Sequence, residues 1–251
     1  MRSLPGNPIV LVPARMASTR LPGKPLADIG GSPMIVHVWR RAVAAGVGPV
    51  VVACAEAEIA DAITSAGGRA VLTRADHPSG SDRIFEALGL VDPQSRHDIV
   101  VNLQGDLPTL DPALVRTALT PLDDPDCQIA TLVAPIADPG EGSDPNVVKV
   151  ALALSPDRTI GRALYFSRAA IPWGTGPLWH HIGLYAYRRA SLERFVRLPA
   201  GVLEQRERLE QLRALENGMR IDAAVVATVP LGVDASADLE KARTLLAADQ
   251  R

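Results

Sequence analysis

The sequence holds only two cysteines, Cys54 and Cys127. Their separation excludes a disulfide framework and any Cys-x-x-Cys metal or redox motif, so both are expected to be small buried hydrophobes. Long apolar runs are also missing. No segment reaches the roughly 18 to 20 residues of a membrane span, and "IVLV" near the start is too short for a signal-peptide core, so no membrane association is expected and the cytoplasm is the expected location. A positive excess is absent as well. With a formal net charge of −2, the chain is a poor partner for a nucleic-acid backbone or an anionic membrane. The loop after the first apolar run carries neither G-x-G-x-x-G nor G-x-x-x-x-G-K-[ST], so neither a dinucleotide fingerprint nor a P-loop is supported.

What is present is an enzyme-sized soluble chain of 251 residues, 47% hydrophobic and 22% charged, long enough for one large α/β domain. Its first half alternates short apolar runs with longer amphipathic ones, the pattern of a βαβ layered sheet. "PIVLVP" reads as the first strand. "SPMIVHVWRRAVAAG" reads as a helix with Ser32 as N-cap, Pro33 at its first position and Gly46 as its stop. "PVVVACA", "RAVLT" and "DIVVNLQGD" follow as strands, and "EAEIADAITSAGG", "SGSDRIFEALGLV" and "DPALVRTALTPL" as helices, the last capped by Asp111. The second half is richer in strands ("DCQIATLVAPI", "NVVKVALAL", "RALYFSRAAIP", "HIGLYAYRR"), which predicts antiparallel additions. "SLERFVRL" and "LEQRERLEQLRALENG" restore helix, "RIDAAVVAT" is a strand, and a terminal helix runs from Ser236 to Asp249. No linker interrupts the chain, so a single domain, 1–251, is expected, with a β-rich insertion at about 130–190.

Charge is distributed unevenly. Within residues 1–50, Arg2, Arg15, Arg20, Lys24, Arg40 and Arg41 face a single acid, Asp28, a local patch that suits a small anionic ligand. A glycine-poor loop can hold a triphosphate if side-chain cations replace backbone amides: Arg15 can fork two phosphate oxygens while Lys24 acts as a mobile point charge. The alternative is that these are solvated loop charges. In open α/β sheets ligands lie beyond the carboxyl ends of the strands, so the polar exits at Pro13 and at Gln104 should face one crevice. Asp106, past the second exit, and Asp234, in "LGVDAS", could supply the one or two carboxylates that Mg²⁺ needs when phosphate and water complete its shell; Asp234 also reads as a turn or cap residue. Ser79 and Asp82 have the spacing of a capping box, and with Gly80 and Arg83 they also present donors and acceptors to a base. His180 and His181, adjacent in a strand, point to opposite faces and do not form a chelating pair.

Taken together, "VPARMASTRLPGKPL", "HPSGSDR", "VNLQGD", "NVVKV", "ALYFSR", "HIGLYAY" and "LEQLRALENG" occur in an order and spacing that resembles the bacterial 3-deoxy-manno-octulosonate (Kdo) cytidylyltransferases, over nearly the whole chain. The resemblance implies an α/β, three-layer Rossmann-like nucleotidyltransferase fold with a mostly parallel central sheet and an antiparallel β-rich insertion. It implies a transferase in which the anomeric hydroxyl of Kdo attacks the α-phosphorus of CTP, giving CMP-Kdo and pyrophosphate for lipopolysaccharide biosynthesis, with Mg²⁺ required and a homodimer as the usual assembly.

By motif match, Arg15 and Lys24 are implied as phosphate ligands, with backbone contacts from Pro13 and Ala14. Ser79, Gly80, Asp82, Arg83 and Gln104 are implied at the cytosine end. Asp106 and Asp234 match the Mg²⁺ positions. Arg168, His181, Tyr185, Glu210 and Gln211 fall in segments resembling the sugar pocket, Arg168 being the residue chosen for the sugar carboxylate. Arg20 is left without a ligand and is expected to form a structural ion pair. Two departures stand out: Leu107 where the family usually has an acid, and Ser81 and Asp82 for the commoner Thr and Glu. The rival readings are a cytidylyltransferase for 8-amino-Kdo or another 2-keto acid sugar, and a non-catalytic nucleotide-binding regulatory module.

Overall fold

The computed structural model describes residues 4–18, 20–154 and 159–248; Thr19 of the opening loop and Asp249, the expected end of the terminal helix, lie outside the described residues. These divide into two compact units. One takes the described residues of Gly6–Arg116 and Pro230–Arg251, the other those of Met1–Pro5 and Thr117–Val229.

The Gly6–Arg116 unit begins with β1 (Pro8–Ala14), buried at all seven positions, as befits a strand covered on both faces. A small hairpin follows, β2 (Asp28–Ile29) paired with β3 (Ser32–Pro33). Its loop residues Gly30 and Gly31 have φ of 58° and 83°, the two positive values that a type I′ turn requires. This hairpin corrects the expected cap of α1 (Met34–Ala44): Ser32 is committed to the ladder, Pro33 occupies the N-cap position, and no side chain caps the helix. Then come β4 (Val50–Cys54), α2 (Ala57–Ser65), β5 (Arg69–Leu72), α3 (Gly80–Val91), β6 (Ile99–Asn102) and α4 (Pro112–Thr117).

The strands lie in the order β5-β4-β1-β6, parallel at every pairing. From β1 the chain moves outward to β4 and β5, then returns to the other side of β1 with β6. The winding therefore reverses between β1 and β6, and the carboxyl ends of these two strands flank the crevice that such a switch point opens. The exits approach closely: a Cβ added to Gly105 would sit 2.7 Å from the carbonyl oxygen of Pro13.

The "DPALVRTALTPL" segment is helical for only half the expected length. Continuing α4 would require the N–H of residue 121 to reach Thr117, and Pro121 has none. The Thr120 hydroxyl donates to the Thr117 carbonyl instead, at 2.8 Å, and a 3₁₀ turn over Thr120–Asp123 follows.

In the Thr117–Val229 unit, β7 (Ile129–Pro135), α5 (Pro139–Ser143), β8 (Lys149–Ala153), β9 (Ile160–Ser167) and β10 (Trp179–Arg188) precede α6 (Arg189–Arg197), α7 (Val202–Glu207), α8 (Leu212–Glu216) and β11 (Ile221–Val225). The order is β10-β7-β11-β9-β8. β10–β7, β11–β9 and β8–β9 are antiparallel and β11–β7 is parallel, so the antiparallel pairing expected of the second half is present. The stretch 203–218 is two helices rather than one. Arg208 adopts φ 56°, Leu209 N–H closes back on the Glu204 carbonyl at 3.2 Å, and the Glu216 carboxylate accepts the amides of Leu203 and Glu204. Of its charges, Glu204 and Arg213 form an ion pair with side chains only 11% and 12% exposed, while Arg206, Arg208 and Glu216 are exposed.

The last element among the described residues is α9 (Ser236–Ala248), in the same unit as β1. Leu239, Ala242 and Leu246 pack with Ile29 and Met34, and with Leu21 and Ala27 of the loop that follows β1. Arg243 donates twice to the Asp28 carbonyl. The polar loop thus has an apolar back seated on α9. Both cysteines are buried, and burial pushes their thiols up, Cys54 to about 11 and Cys127 to about 12.

The Gly105 approach gives a direct test of the β1–β6 geometry. Gly105→Ala should lower stability by about 1–3 kcal/mol, because backbone must shift to admit the methyl group. Thermal unfolding of this variant checks it; an unchanged Tm would mean the exits are not in contact.

Candidate active site

Beyond β1 and β6, within the Gly6–Arg116 unit, lies an open cleft of about 390 Å³. Pro13, Ala14 and Arg15 line it from the first exit, Gln104, Gly105 and Asp106 from the second, so the two exits predicted to share a crevice do share it. Arg15 is exposed at its lip. Met16 N–H is held by the Glu56 carboxylate at 3.1 Å, which anchors the chain as it leaves the strand.

Lys24 begins a short 3₁₀ turn (Lys24–Leu26) and reaches into the cleft. Its ammonium donates to Asp106 Oδ2 at 2.9 Å, to the Val233 carbonyl at 2.9 Å and to Asp234 Oδ1 at 3.4 Å. Arg20 pairs with the other oxygen of Asp234 at 3.1 Å, the structural ion pair anticipated for it. The two carboxylates are set by backbone: Val233 N–H donates to the Asp106 carbonyl at 2.9 Å, and Asp238, in the first turn of α9, accepts the amides of Asp234 and Ala235. Asp106 and Asp234 therefore converge on one cation. Among the described residues no group of three or more His, Cys, Asp or Glu could hold a metal, but this pair of hard oxygen donors, already gathered around an ammonium, suits an ion such as Mg²⁺ that takes its remaining ligands from phosphate and water.

The wall opposite is the start of α3. Ser79 Oγ caps the helix by accepting Asp82 N–H at 3.1 Å and donates to the Asp82 carboxylate at 2.6 Å. Asp82 is thereby turned to the cap and does not line the cleft, whereas Ser79, Gly80 and Arg83 do. Arg83 is 2% exposed. Its Nη1 donates to Thr73 Oγ1 at 2.7 Å and to the Arg74 carbonyl at 3.1 Å, while Nη2 is buried with no partner. Burial lowers its pKa, with the charge of Glu56 opposing. His77 also lines the cleft and is bonded to Glu86. Burial alone would raise the Glu86 pKa, but the bonds from His77 and the Arg74 amide outweigh it and the net shift is downward. His77 was missed in the sequence although it stands two residues before the Ser79 cap.

The residues expected at the sugar lie in the Thr117–Val229 unit. Thr131 Oγ1 sits 2.9 Å from the Leu184 carbonyl, 3.1 Å from that of Ile182 and 3.1 Å from His181 Nε2. With the one hydroxyl proton given to a carbonyl, the His181 tautomer that bonds to Oγ1 is the one protonated at Nε2, which donates and leaves Nδ1 as an acceptor. Burial, helped by neighbouring His180, pushes His181 down to about 3. His180 turns the other way, toward Glu141 at 3.6 Å, so the two histidines do not chelate. The Tyr185 ring is 5.3 Å from His181, and its pKa is raised well above the usual value by burial, then by Tyr187 and Glu210. His181, Tyr185 and Glu210 are thus neighbours. Gln211 is 8% exposed and its Nε2 is a buried donor without a partner. Arg168, at the end of β9, spends Nε, Nη1 and Nη2 on the carbonyls of Glu207, Pro145 and Arg208.

The cytidylyltransferase family model matches residues 9–221. A curated 3-deoxy-manno-octulosonate cytidylyltransferase from Paramagnetospirillum magneticum is 65% identical over 96% of this chain and 98% of its own length; one from Methylobacterium radiotolerans is 68% identical over 96% and 97%. The chain belongs to the 3-deoxy-manno-octulosonate cytidylyltransferase family. A solved CMP:2-keto-3-deoxy-manno-octonic acid synthetase complexed with CTP matches with a TM-score of 0.88 at 42% identity, covering 97% of this chain and all of that one. A nucleotidyl transferase from Methanothermobacter, 16% identical with a TM-score of 0.62, shares the fold. The fold is that of the nucleotidyltransferases, as the motifs implied. In this cytidylyltransferase Leu107 is 8% exposed, so where the motif would carry an acid beside Asp106 the chain has a core residue.

The depressed His181 pKa has a definite sign. Between about 6.5, the unperturbed value, and about 3 the unfolded chain binds a proton that the native state does not. Stability supported by the neutral ring is therefore lost as pH falls through that window. Urea unfolding at pH 7 and pH 5 should show a steeper decline for the wild type than for His181→Gln; equal declines would contradict the assignment.

Proposed function

We propose that the protein transfers the cytidylyl group of CTP to the anomeric hydroxyl of Kdo, in lipopolysaccharide biosynthesis. The hydroxyl oxygen forms a bond to the α-phosphorus, the bond from that phosphorus to the bridging oxygen of the β-phosphate breaks, the hydroxyl proton is lost, and pyrophosphate leaves. The observation that carries the reading is the convergence of Asp106 and Asp234 on the Lys24 ammonium in the cleft beyond β1 and β6, in a chain whose relatives carry this activity in their names.

The residues divide the work. Arg15 forks phosphate oxygens at the lip, and Pro13 and Ala14 bring backbone close to the nucleotide. Lys24 turns its mobile charge to the α-phosphoryl oxygens, where negative charge builds in the transition state. Asp106 and Asp234 hold Mg²⁺, which when bound offsets the charge of the triphosphate. Ser79, Gly80, Arg83 and Gln104 serve the cytosine end, with Asp82 acting through the Ser79 cap, and the buried unpartnered Nη2 of Arg83 is a donor that a pyrimidine acceptor would satisfy. Arg168, His181, Tyr185, Glu210 and Gln211 serve the sugar. Arg168 retains two N–H groups beyond the three given to carbonyls, enough for a carboxylate, and the His181 acceptor suits a sugar hydroxyl.

The protein is read as one nucleotidyltransferase, a cytoplasmic homodimer whose residues 130–190 provide the sugar-binding and dimerisation insertion. No helix among the described residues is long and apolar enough to cross a membrane. A non-catalytic module would have no need of a converged Lys24, Asp106 and Asp234.

The purified protein should release pyrophosphate from CTP only when Kdo and Mg²⁺ are both supplied, with 8-amino-Kdo and sialic acid as comparison substrates. Asp106→Asn should lower kcat by about 100-fold or more while leaving the circular dichroism unchanged. Preference for another acidic sugar would replace Kdo as the substrate, and near-normal turnover in the variant would remove Asp106 from the reaction.

A further inference from the structure

Lys149, in "NVVKV", carries a charge that touches no water: the residue is 0% exposed. Its ammonium donates to the carbonyls of Asp144 at 2.8 Å, Val147 at 2.6 Å and Arg168 at 2.6 Å. Three protons meet three carbonyls, which is how a buried ammonium remains tolerable. Burial lowers its pKa, and the nearby Asp144 charge opposes that shift.

The carbonyls it gathers belong to two places. Asp144 and Val147 bound the turn that also contains Pro145; Arg168 closes β9. Arg168 is held independently at its other atoms. Its backbone N–H donates to Glu207 Oε2 at 3.0 Å, its Nε to the Glu207 carbonyl at 2.9 Å and its Nη1 to the Pro145 carbonyl at 2.9 Å. Lys149 thus fixes both ends of the Nη1–Pro145 bond: the backbone from which the Arg168 side chain springs and the turn on which its guanidinium rests. Without the ammonium the Asp144 carbonyl would keep only the Val147 N–H, at 3.2 Å, the carbonyls of Val147 and Arg168 would lose the Lys149 donor, and the tie between the turn and the end of β9 would go with them, loosening one of the contacts that orient the guanidinium.

We propose that Lys149 is a positioning residue for sugar binding, which holds the Arg168 guanidinium where it can receive the carboxylate of the acidic sugar. Being wholly buried, Lys149 touches no substrate and acts only through Arg168 and the 144–147 turn. The proposal rests on the reading of Arg168 as a sugar ligand given above.

A double-mutant cycle tests it. Steady-state kinetics with Kdo and CTP varied separately should be measured for the wild type, Arg168→Ala, Lys149→Met and the double variant. Lys149→Met should raise KM for Kdo about tenfold, with KM for CTP and kcat changed less than about twofold, the pattern of lost ground-state binding. In the Arg168→Ala background it should add almost nothing, because two residues acting through one contact are not additive. Lys149→Gln, which keeps two donors, should fall between, and carries the same comparison if the methionine variant does not fold. An unchanged KM for Kdo with only a lower Tm, or a full additional loss in the Arg168→Ala background, would overturn the positioning role. Arg168→Ala with wild-type KM for Kdo would overturn Arg168 as a sugar ligand and the proposal with it, whereas a wild type inactive with Kdo would instead overturn the activity.

Discussion

The Lys24 ammonium is the side-chain hub of the candidate site, beside the backbone bond from Val233 N–H to the Asp106 carbonyl. Lys24 reaches from the loop after β1 to the exit of β6 through Asp106 and to the approach to α9 through Asp234 and the Val233 carbonyl, joining three stretches that are remote in sequence. Without a cation the two carboxylates would repel, since both are acceptors aimed at the same ammonium. A divalent ion and an ammonium answer the same need. The apolar side of the same loop rests on Leu239, Ala242 and Leu246 of α9, so the charged face can exchange partners while the backbone beneath it stays in place.

In the Thr117–Val229 unit Arg213 and Arg220 pair with carboxylates, but three other cations are held mainly by backbone. Lys149 and Arg168 are neutralised less by carboxylates than by oriented carbonyls, and Arg188 likewise donates to the carbonyls of Cys127, Leu122 and Asp124. Carbonyl clamps fix the geometry of these cations through directed hydrogen bonds, with the Glu207 carboxylate accepting the Arg168 backbone N–H alongside. Burial keeps His181 neutral, and the Thr131 hydroxyl lies within hydrogen-bond reach of its Nε2 and of two carbonyls.

Much of this was legible in the residues. The all-apolar β1, the capped α3 and the polar strand exits follow from periodicity and from side-chain chemistry within a few residues, and the placement of Asp106 opposite a cationic loop follows from where a parallel sheet opens. The ion pair of Arg20 could be anticipated from the absence of a ligand for it. What escaped depended on tertiary partners. Ser32 had the chemistry of a cap, but Gly30 and Gly31 folded it into a hairpin. The 203–218 stretch has helical composition throughout, and it breaks because Arg208 takes a left-handed conformation while Leu209 and Leu212 turn inward. His77 and Lys149 were silent because their partners, Glu86 in one case and carbonyls of three different residues in the other, carry no pattern in the linear sequence.

The Lys24 ammonium couples the β6 exit to the approach to α9, reinforcing the backbone bond from Val233 to Asp106. Hydrogen–deuterium exchange of Lys24→Met against the wild type, without nucleotide or metal, tests it most directly. Exchange should become faster in residues 104–107 and 231–239 together, with β1 itself unchanged. Wild-type exchange in both segments would contradict it.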